Sequence, residues 1–472
     1  MSTPEIIEYA FSLLDKYKSF KTKNNDTFIE VPRTSGRKKC THVKVGSDKF
    51  RDFIELDYIS KHGKAIPSAQ MASLIRITEA KIRQDSPLVT LHSRVAYIDQ
   101  KIYINIDGKG SVFSIDKNGC KRVKPEKCKF KHHQSALPFP NPDTDNASLK
   151  PLWYTTNMTN IHDKRLTAVW ILNSFFANSN NPILVLLAGK GCAKSYSQKI
   201  IKLITDPSET LLRTPPKSSE DIVIAAANDH VISYNNISKL SDSMQDDICQ
   251  VSTGGIYANR KLYTDRSEAI SSLKSPMILN GIDNFITKTD LQDRCIFLHP
   301  KKIPKEKRRR EHDLDAYFVE NKHKISGWIV NSLTKVMNHM NTTEQPEELE
   351  RMADFCFFGH VVEKALDWKK GSFKKAFDRN MKKHAQRYSI QPSAVAIAIT
   401  ELKSNGDLPF SGTMQELLYQ LESIDPSISI NPRKLSEEIK SIREPILITH
   451  NIVISKTSRS GPGNKLTISC DI

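Results

Sequence analysis

The sequence predicts an α/β core with a five-stranded parallel sheet and a helical lid, preceded by a small α+β domain and followed by three helices and a β-hairpin. Three observations predict this arrangement. Short apolar runs alternate with helical segments between residues 182 and 299, which is typical of a parallel sheet covered by helices. A glycine-containing loop follows the first run and opens a helix. The C-terminal segment has three helical patterns and then two strand patterns joined by a Gly/Pro/Ser turn.

The small α+β domain is predicted over residues 1–145. A short helix is expected from Glu5 to Tyr17, and the alternation in RVAYIDQKIYINIDG and SVFSID predicts strands, broken by Gly108 and Gly110. The segment SALPFPNPDTDNASLKPLW then carries four prolines and several small polar residues, which oppose regular structure. We therefore expect a domain boundary near residue 145.

The core is predicted over residues 146–385. Its strand candidates are PILVLL, SETLLR, HVISY, PMILN and CIFLH. Two later segments, DLDAYFVENKHKISGWIVNSLTKVMNHM and EELERMADFCFFGHVVEKAL, have the periodicity of amphipathic helices and predict the lid. The basic stretch RNMKKHAQRYSIQPS separates residues 386–472, whose three helices and hairpin predict a winged-helix domain.

Composition narrows the partners and the compartment. The chain has 472 residues, a formal net charge of +17 and a pI near 9.3, which favour a polyanionic partner such as nucleic acid; solubility or attraction to a membrane surface would also fit. Its eight cysteines have no regular spacing, and neither a signal peptide nor an apolar run of about 18 residues is present. We expect a soluble, cytoplasmic protein without a membrane partner.

The loop AGKGCAKS predicts a phosphate-binding P-loop. Gly189 and Gly191 allow backbone N–H groups to surround phosphate, Lys194 would reach the terminal phosphates of ATP, and Ser195 would bind Mg²⁺ at the helix start. Ala188 and Ala193 stand where the pattern GxxxxGK[ST] has glycines, so the prediction depends on the strand before the loop and the helix after it. The alternative is a glycine-rich turn with a chance Lys-Ser pair. The predicted nucleotide-binding residues are Gly189, Lys190, Gly191, Cys192, Ala193, Lys194 and Ser195.

Later strand ends carry the other candidates for catalysis. Asn235 and Asn236 follow HVISY, where an ATPase usually has the acids that hold magnesium and polarise water. Neutral amides lack that charge and basicity, so efficient hydrolysis is less certain than binding. Asn280, at the end of PMILN, could position the attacking water. Arg294 could act as an arginine finger in a neighbouring subunit, or it could simply pair with Asp293 or Asp290.

These residues lie in blocks that resemble the AAA+ replication ATPases of bacteriophages and mobile genomic islands, including the initiator-helicases of staphylococcal cassettes and pathogenicity islands. That family is similar to the minichromosome-maintenance and superfamily III helicases. The blocks are AGKGCAKS, LITDPSETLLRTPP, IAAANDHVISYNNIS, STGGIYANRKLYTD, ILNGI, DLQDR and RMADF. They follow this order between about residues 184 and 360.

The resemblance implies roles for individual residues. Lys194 and Ser195 form the Walker A pair, Asn235 and Asn236 fall at Walker B, Asn280 at sensor 1 and Arg294 at the arginine finger. Arg351 in ERMADF is implied as a sensor 2 arginine of the lid. The family's Walker B block has Asp before Asn, so Asn235 departs from it; hydrolysis tolerates the change, or Asp229 or Asp221 substitutes, or the enzyme is slow.

Basic residues are candidates for DNA contact. The resemblance places TGGIYANRKLYTD in a hairpin that points into the central pore of a ring, where Arg260 and Lys261 would grip phosphates; the alternative is a solvated hairpin. In the C-terminal segment, a helix in the major groove and a basic wing are the docking mode of winged helices, although such domains also bind proteins. The candidate residues there are Arg433, Lys434, Lys440, Lys456, Arg459 and Lys465.

Two other patterns are interpreted more simply. The run KKIPKEKRRR at residues 301–310 could be a DNA-binding patch, but we interpret it as a solvated loop between core and lid. A zinc site formed by Cys120, Cys128, His132 and His133 is not expected, because the spacing of the two cysteines does not fit a zinc finger.

The sequence thus predicts an ATP-driven and Mg²⁺-dependent DNA helicase that assembles as a hexameric ring of identical subunits and initiates replication of a mobile element. Single-stranded DNA would pass through the pore, and duplex DNA would bind the winged helix. The alternative is an initiator scaffold that binds nucleotide and DNA with weak hydrolysis or none.

Overall fold

The computed structural model has two compact units, Met1–Ala376 and Phe377–Ile472. It describes residues 3–32, 40–107, 111–125, 127–131, 135–177, 179–260, 268–272, 274–282, 284–346, 351–388, 394–426, 428–456 and 466–470. Within these ranges no helix is long and apolar enough to cross a membrane.

The first unit begins with an α+β layer. The elements are α1 (Thr3–Lys16), β1 (Ser19–Lys21), β2 (Thr27–Pro32), β3 (Cys40–Lys44), α2 (Asp48–His62) and α3 (Ser68–Asp85). The three strands form an antiparallel sheet in the order β1-β2-β3. Buried apolar side chains such as Leu13, Phe50 and Leu74 join the helices to the sheet. The sequence predicted α1 but not α2, α3 or this sheet.

A second sheet follows within the same region. Its elements are β4 (Leu91–His92), β5 (Val95–Ile98), β6 (Lys101–Asn105), β7 (Val112–Asp116), β8 (Gly119–Val123) and β9 (Lys129–Phe130). β5 to β8 form an antiparallel meander, whereas β4 and β9 pair separately in parallel. The strands predicted from the alternation of residues 94–116 are confirmed.

A buried ion cluster connects this meander to the parallel sheet of the core. Arg94 donates to Asp206 Oδ1 at 3.1 Å, and Lys202 donates to Asp206 Oδ2 at 2.6 Å. The amides of His230 and Val231 donate to the same carboxylate. Despite burial, these cations hold the pKa of Asp206 below its usual range, and burial lowers the pKa of His230 to about 4. A buried carboxylate with four donors binds the two regions together.

The proline-rich segment between the predicted first and second domains is an ordered strap. Asp143 N donates to His323 O at 2.9 Å and Ser148 N donates to Lys324 O at 3.0 Å, so the strap follows one helix of the lid. Prolines prevent a regular element here, but the remaining N–H groups find acceptors on that helix.

The core contains a parallel sheet between helices. Its elements are α4 (Lys150–Thr155), α5 (Ile161–Asn173), β10 (Ile183–Leu187), α6 (Lys194–Thr205), α7 (Ser219–Asn228), β11 (Ile232–Ile237), α8 (Asp242–Thr253), β12 (Ile256–Arg260), β13 (Glu268–Ser272), β14 (Met277–Gly281), α9 (Thr289–Gln292) and β15 (Cys295–Leu298). The strand order is β11-β14-β10-β15, and all three pairings are parallel. β12 and β13 form a separate antiparallel hairpin.

The expectation of five strands needs a correction, since the sheet has four strands in the described part of the chain. The segment SETLLR makes single bridges instead, and Arg213 pairs in parallel with Tyr234 at the outer edge of β11. Arg213 N donates to Ser233 O and its carbonyl accepts from Asn235 N, both at 2.8 Å. Two prolines at 215 and 216 lack the N–H groups that would extend this pairing.

Long helices follow β15 in the chain. They are α10 (Glu311–His339), α11 (Ala353–Ala365) and α12 (Ser372–Tyr388). α10 and α11 are the helices predicted for the lid. The basic stretch from residue 379, which the sequence analysis treated as a separator, is helical as far as Tyr388.

The second unit is a small helical domain with a sheet. It contains α13 (Ala394–Asn405), β16 (Phe410–Gly412), α14 (Met414–Ile424), α15 (Pro432–His450), β17 (Ile452–Lys456) and β18 (Leu466–Cys470). The three helices and the hairpin were predicted, and the short strand β16 completes an antiparallel sheet in the order β16-β18-β17. Leu435, Ile439 and Ile446 of α15 pack in its core.

Candidate functional site

The loop predicted as a P-loop, residues 188–195, is called the P-loop below; it joins the buried strand β10 to helix α6. Gly191 has φ of 78° and Ala193, the N-cap of α6, has φ of 53°. A positive φ at residue 193 explains why the usual pattern has glycine there, and an alanine in this conformation costs roughly 1 to 2 kcal/mol. Ala188 has no such conformation. Of the two alanines that stand where the pattern has glycines, only Ala193 therefore strains the loop.

Lys194 lies at the start of α6 with its ammonium group turned toward the loop. Its Nζ donates to the carbonyl oxygen of Ala188 and, at 3.0 Å, to that of Gly189. Partial burial lowers the pKa of Lys194 below its ordinary value. Ser195 is the next residue and is partly exposed. The Lys194 ammonium group thus lies against the loop that precedes α6, and nucleotide binding by these residues stays a prediction.

A buried amide network fixes the ends of β11 and β14. Asn280 Nδ2 donates to Asn235 Oδ1 at 2.7 Å and to the side-chain oxygen of Gln198, while Asn280 Oδ1 accepts from Asn236 N at 2.8 Å. Gln198 Nε2 in turn donates to Ser233 Oγ, Tyr234 O and Ile278 O at 2.8, 3.0 and 3.1 Å. The network brings three predicted residues together beside α6.

Gln198 was not identified from the sequence. It lies on the buried face of α6, one turn after Lys194, and is fully buried. The sequence did contain a signal for it, since a glutamine on the apolar face of a helix indicates a buried amide, and a buried amide needs hydrogen-bond partners. Its contacts tie the P-loop helix directly to the strand ends.

The two acids proposed to replace a Walker B carboxylate lie at different places along β11. The Tyr234 hydroxyl group donates to Asp221 O at 3.3 Å, so the backbone of Asp221 lies beside Tyr234. Asp229 precedes β11, at the opposite end of the strand from Asn235, and its carboxylate accepts from Arg213 Nε at 2.6 Å. Asp221 is in the first turn of α7, where its carboxylate accepts from Lys217 N at 2.8 Å. Asp229 therefore lies too far from Asn235 to act as the Walker B acid. The Asp221 carboxylate is engaged at the start of α7, where it accepts from a backbone N–H group.

Arg294 and Arg351 share the carboxylate of Asp290. Arg294 Nε lies 3.5 Å from Asp290 Oδ2, while Arg351 pairs with Asp290 and, at 2.7 Å, with Asp293 Oδ2. The ion pair considered as an alternative for Arg294 is thus present, and Arg351 lies beside the same acids.

Both arginines are remote from the P-loop of their own chain. Ile183 pairs with Cys295 in the parallel register of β10 and β15, and Ile183 N donates to Arg294 O. Arg294 therefore precedes the sheet at its amino edge, whereas the P-loop follows Leu187 at the carboxyl edge. Five residues at about 3.3 Å each put roughly 15 Å between these edges.

A cavity of about 1120 Å³ opens beside the P-loop. Lys190, Gly191 and Ala193 form one wall, and Trp153, Tyr154 and Tyr196 contribute aromatic surface. Asn157 closes its floor, since its Nδ2 donates to Cys192 O at 3.1 Å and to Lys301 O at 2.6 Å. A large cleft with aromatic and cationic walls suits a nucleotide-sized anion.

The candidates for DNA contact are only partly described. β12 and β13 form the expected hairpin, with Arg260 opposite Glu268, but Lys261 lies outside the described residues. In the second unit Arg433, Lys434 and Lys440 are exposed on α15. Lys456 ends β17, and Arg459 and Lys465 lie outside the described residues.

No metal cluster is formed by the described His, Cys, Asp and Glu side chains. Cys128 is buried and Cys120 partly so, and burial raises the pKa of their thiols to about 12 and about 11. His132 and His133 of the rejected zinc site lie outside the described residues.

Comparison with known proteins gives one family match. Residues 149–378 match the family described as actinomycete integrative conjugative element replication protein. The predicted resemblance to replication proteins of mobile elements is confirmed over this segment. None of the curated proteins compared with the chain matches it.

Two solved structures are similar to this chain over almost its whole length. One is described as the active helicase Cch of SCCmec type IV, with 10% identity over 96% of this chain and 92% of that chain and a TM-score of 0.48. Another is the apo C-terminal region of NrS-1, with 10% identity over 99% and 98% of the two chains and a TM-score of 0.43.

Proposed function

We propose that this chain, whose central segment matches replication proteins of integrative conjugative elements, is an ATP-driven DNA helicase of the AAA+ kind that initiates replication of a mobile element. Lys194 would contact the terminal phosphates of ATP. Ser195 and Asn235 would hold the hydration shell of Mg²⁺, which supplies charge neutralisation when bound.

The amide network carries this proposal. It places Asn280 and Asn235 against the helix that begins with Lys194, so that a polar strand end faces the phosphate loop. This is the arrangement in which a side chain can orient a water molecule for attack on a terminal phosphate. The side chains proposed to hold Mg²⁺, Ser195 and Asn235, are neutral, which favours slow intrinsic turnover of ATP.

A ring of subunits would complete the site. Arg294 lies at the sheet edge opposite its own P-loop, so it can approach only the nucleotide of a neighbouring molecule. Its charge would then stabilise the transition state across the subunit interface. We propose a homo-oligomeric ring, hexameric by analogy with related replication ATPases.

The second unit would bind duplex DNA as a winged helix. Its order of three helices and a three-stranded antiparallel sheet matches that fold, and exposed Arg433, Lys434 and Lys440 follow one another along α15. The loop between β17 and β18 would contact the backbone. The net charge of +17 supports a nucleic acid partner.

The test of this function is DNA-stimulated ATPase activity together with strand release from a forked duplex. We expect wild-type protein to release phosphate and Lys194→Ala to lose at least about 100-fold in turnover, because phosphate contacts of this kind contribute most of the catalysis. Lys335→Ala, an exposed lysine of α10, is the matched control and should behave as wild type. Absence of turnover with DNA would exclude the enzyme.

A nucleotide-bound scaffold is the second candidate, and the neutral pair Asn235 and Asn236 favours it. In that case ATP would stabilise oligomers and DNA binding without phosphate release. Particle size measured in the same buffer as turnover separates the two functions, since only the scaffold assembles with ATP and leaves it intact.

A further inference from the structure

The basic run at residues 301–310 packs against the P-loop, which the sequence analysis did not foresee. Ile303 N donates to Gly191 O at 3.1 Å, and Lys301 O accepts from Asn157, whose amide also holds Cys192 O. The run therefore forms backbone hydrogen bonds with the loop proposed to bind phosphate. It connects core and lid, as expected, but it also forms a wall of the cavity.

Two anchors hold the end of this run in place. The Arg309 guanidinium carbon lies 4.0 Å from the centroid of the Tyr154 ring, and its Nη1 donates to Tyr154 O at 3.3 Å. Arg310 pairs with Asp313 through bonds of 2.9 and 2.8 Å. Both side chains are engaged, so neither is available for an anion without losing these contacts.

Arg308 precedes these two anchors, and its guanidinium group is differently placed. Its Nη2 lies 3.7 Å from the position that a Cβ on Gly191 would occupy, so the guanidinium group stands over the P-loop. In the described part of the chain no carboxylate pairs with it. Arg308 is therefore a cation directed at the loop and without a counter-charge there.

The cavity walls favour an anionic ligand over a neutral one. Lys190, Lys302, Lys307 and Arg308 line it, and the carboxylate that also lines it, Glu311, accepts from Lys199 at 3.1 Å. The excess of positive charge lies beside Gly191 and Ala193 of the P-loop, where it would attract the phosphates of a nucleotide. A concave site suits a compact polyphosphate better than a nucleic acid duplex.

We propose that Arg308 binds the phosphates of a nucleoside triphosphate in the same subunit, as a second cation of the P-loop in addition to Lys194. This inference rests on the proposed nucleotide binding and adds a specific residue to it. A planar guanidinium group can bind two phosphate oxygens at once. Its charge would neutralise the phosphates directly, in addition to the charge of Mg²⁺.

The test compares nucleotides that differ in phosphate number. We expect Arg308→Gln to weaken binding of a non-hydrolysable ATP analogue with Mg²⁺ by about 10- to 100-fold, the usual effect of removing a charge-assisted bond. ADP should be affected less, and AMP should bind as it does to wild type. Arg308→Lys, which keeps the charge, should fall between wild type and Arg308→Gln.

Arg310→Gln is the matched control, because it removes a neighbouring arginine that pairs with Asp313. Equal affinity of wild type and Arg308→Gln for the ATP analogue would overturn this inference and leave the proposed function standing. A loss of DNA affinity with unchanged ATP affinity would overturn it in favour of a DNA-binding patch. If wild type binds no nucleotide, the proposed function itself fails.

Discussion

Asn280 has a structural role beside the chemical role proposed for it. Its amide donates to Asn235 and Gln198 and accepts from Asn236 N, so its bonds join β14 to both β11 and α6. The backbone at Asn236 is left-handed, with φ of 58°, and the ladder between β11 and β14 shifts register there. Asparagine tolerates this conformation better than most residues.

Replacing Asn235 by aspartate tests whether the missing charge limits catalysis. Since Asn235 Oδ1 accepts from Asn280 Nδ2, a carboxylate oxygen can take the same hydrogen bond and the fold should be kept. We expect Asn235→Asp to raise DNA-stimulated ATP turnover by about 10-fold or more, because the carboxylate would hold Mg²⁺ more firmly. Phosphate release under saturating ATP measures this.

The control is Asn405→Asp, which changes an exposed asparagine of α13 in the same way. It should leave turnover unchanged. Unchanged turnover in Asn235→Asp as well would mean that another group already supplies the charge.

At the scale of elements, the strap of residues 139–149 determines how α10 packs. Ser326 Oγ donates to Asn141 O at 3.3 Å and Asn331 Nδ2 donates to Thr144 O at 2.9 Å, in addition to the backbone bonds. Gly327 lies beneath the strap, where an added Cβ would stand 1.9 Å from Asp143 O. The glycine permits this close contact of two backbones.

Gly327→Ala should therefore destabilise the protein. In an exposed helix this change would stabilise by about 1 kcal/mol, but here the backbone of Asp143 must move, and we expect a net loss of roughly 3 kcal/mol. Urea unfolding of the first unit measures it.

Gly359→Ala is an informative comparison. The added Cβ there would meet the ring of Phe373 at 2.1 Å, and a side chain can rotate away more easily than backbone can shift. We expect a smaller loss than for Gly327→Ala. Equal or greater stability of Gly327→Ala relative to wild type would contradict the close packing of the strap.

At the scale of the whole molecule, the two ends of the sheet carry different parts of one proposed reaction. The P-loop follows β10, and Arg294 precedes β15 beside Arg351; Asp290 pairs with both arginines, and Asp293 pairs with Arg351. A heterologous interface between identical subunits would bring one edge against the other. The acids would then hold the arginines in orientation before a neighbour's nucleotide.

Mixing two inactive variants tests this assembly. Lys194→Ala and Arg294→Ala should each be nearly inactive alone, because each lacks one half of every site. In a mixed ring about one interface in four joins an intact P-loop to an intact arginine, so the mixture should regain a measurable part of wild-type ATP turnover. If mixing restores nothing while the variants still co-assemble, Arg294 does not act across the interface.

The sequence alone determined the features that depend on local pattern. The strand–loop–helix around Lys194, the parallel order of apolar strands and the terminal hairpin follow from periodicity and turn residues, which act over a few neighbouring positions. α2, α3 and the first sheet were not foreseen, since their stability comes from mutual packing rather than from strong local signals.

Only the tertiary structure decided which distant residues meet. Gln198 joins Asn280 across 82 positions, Arg94 reaches Asp206 across 112, and Arg308 stands over Gly191. Asp229 had been considered as a substitute for the Walker B acid, but it precedes β11, whereas Asn235 lies near the other end of that strand. Such contacts depend on how the sheet and helices pack, because chain spacing sets neighbours within an element but not between elements.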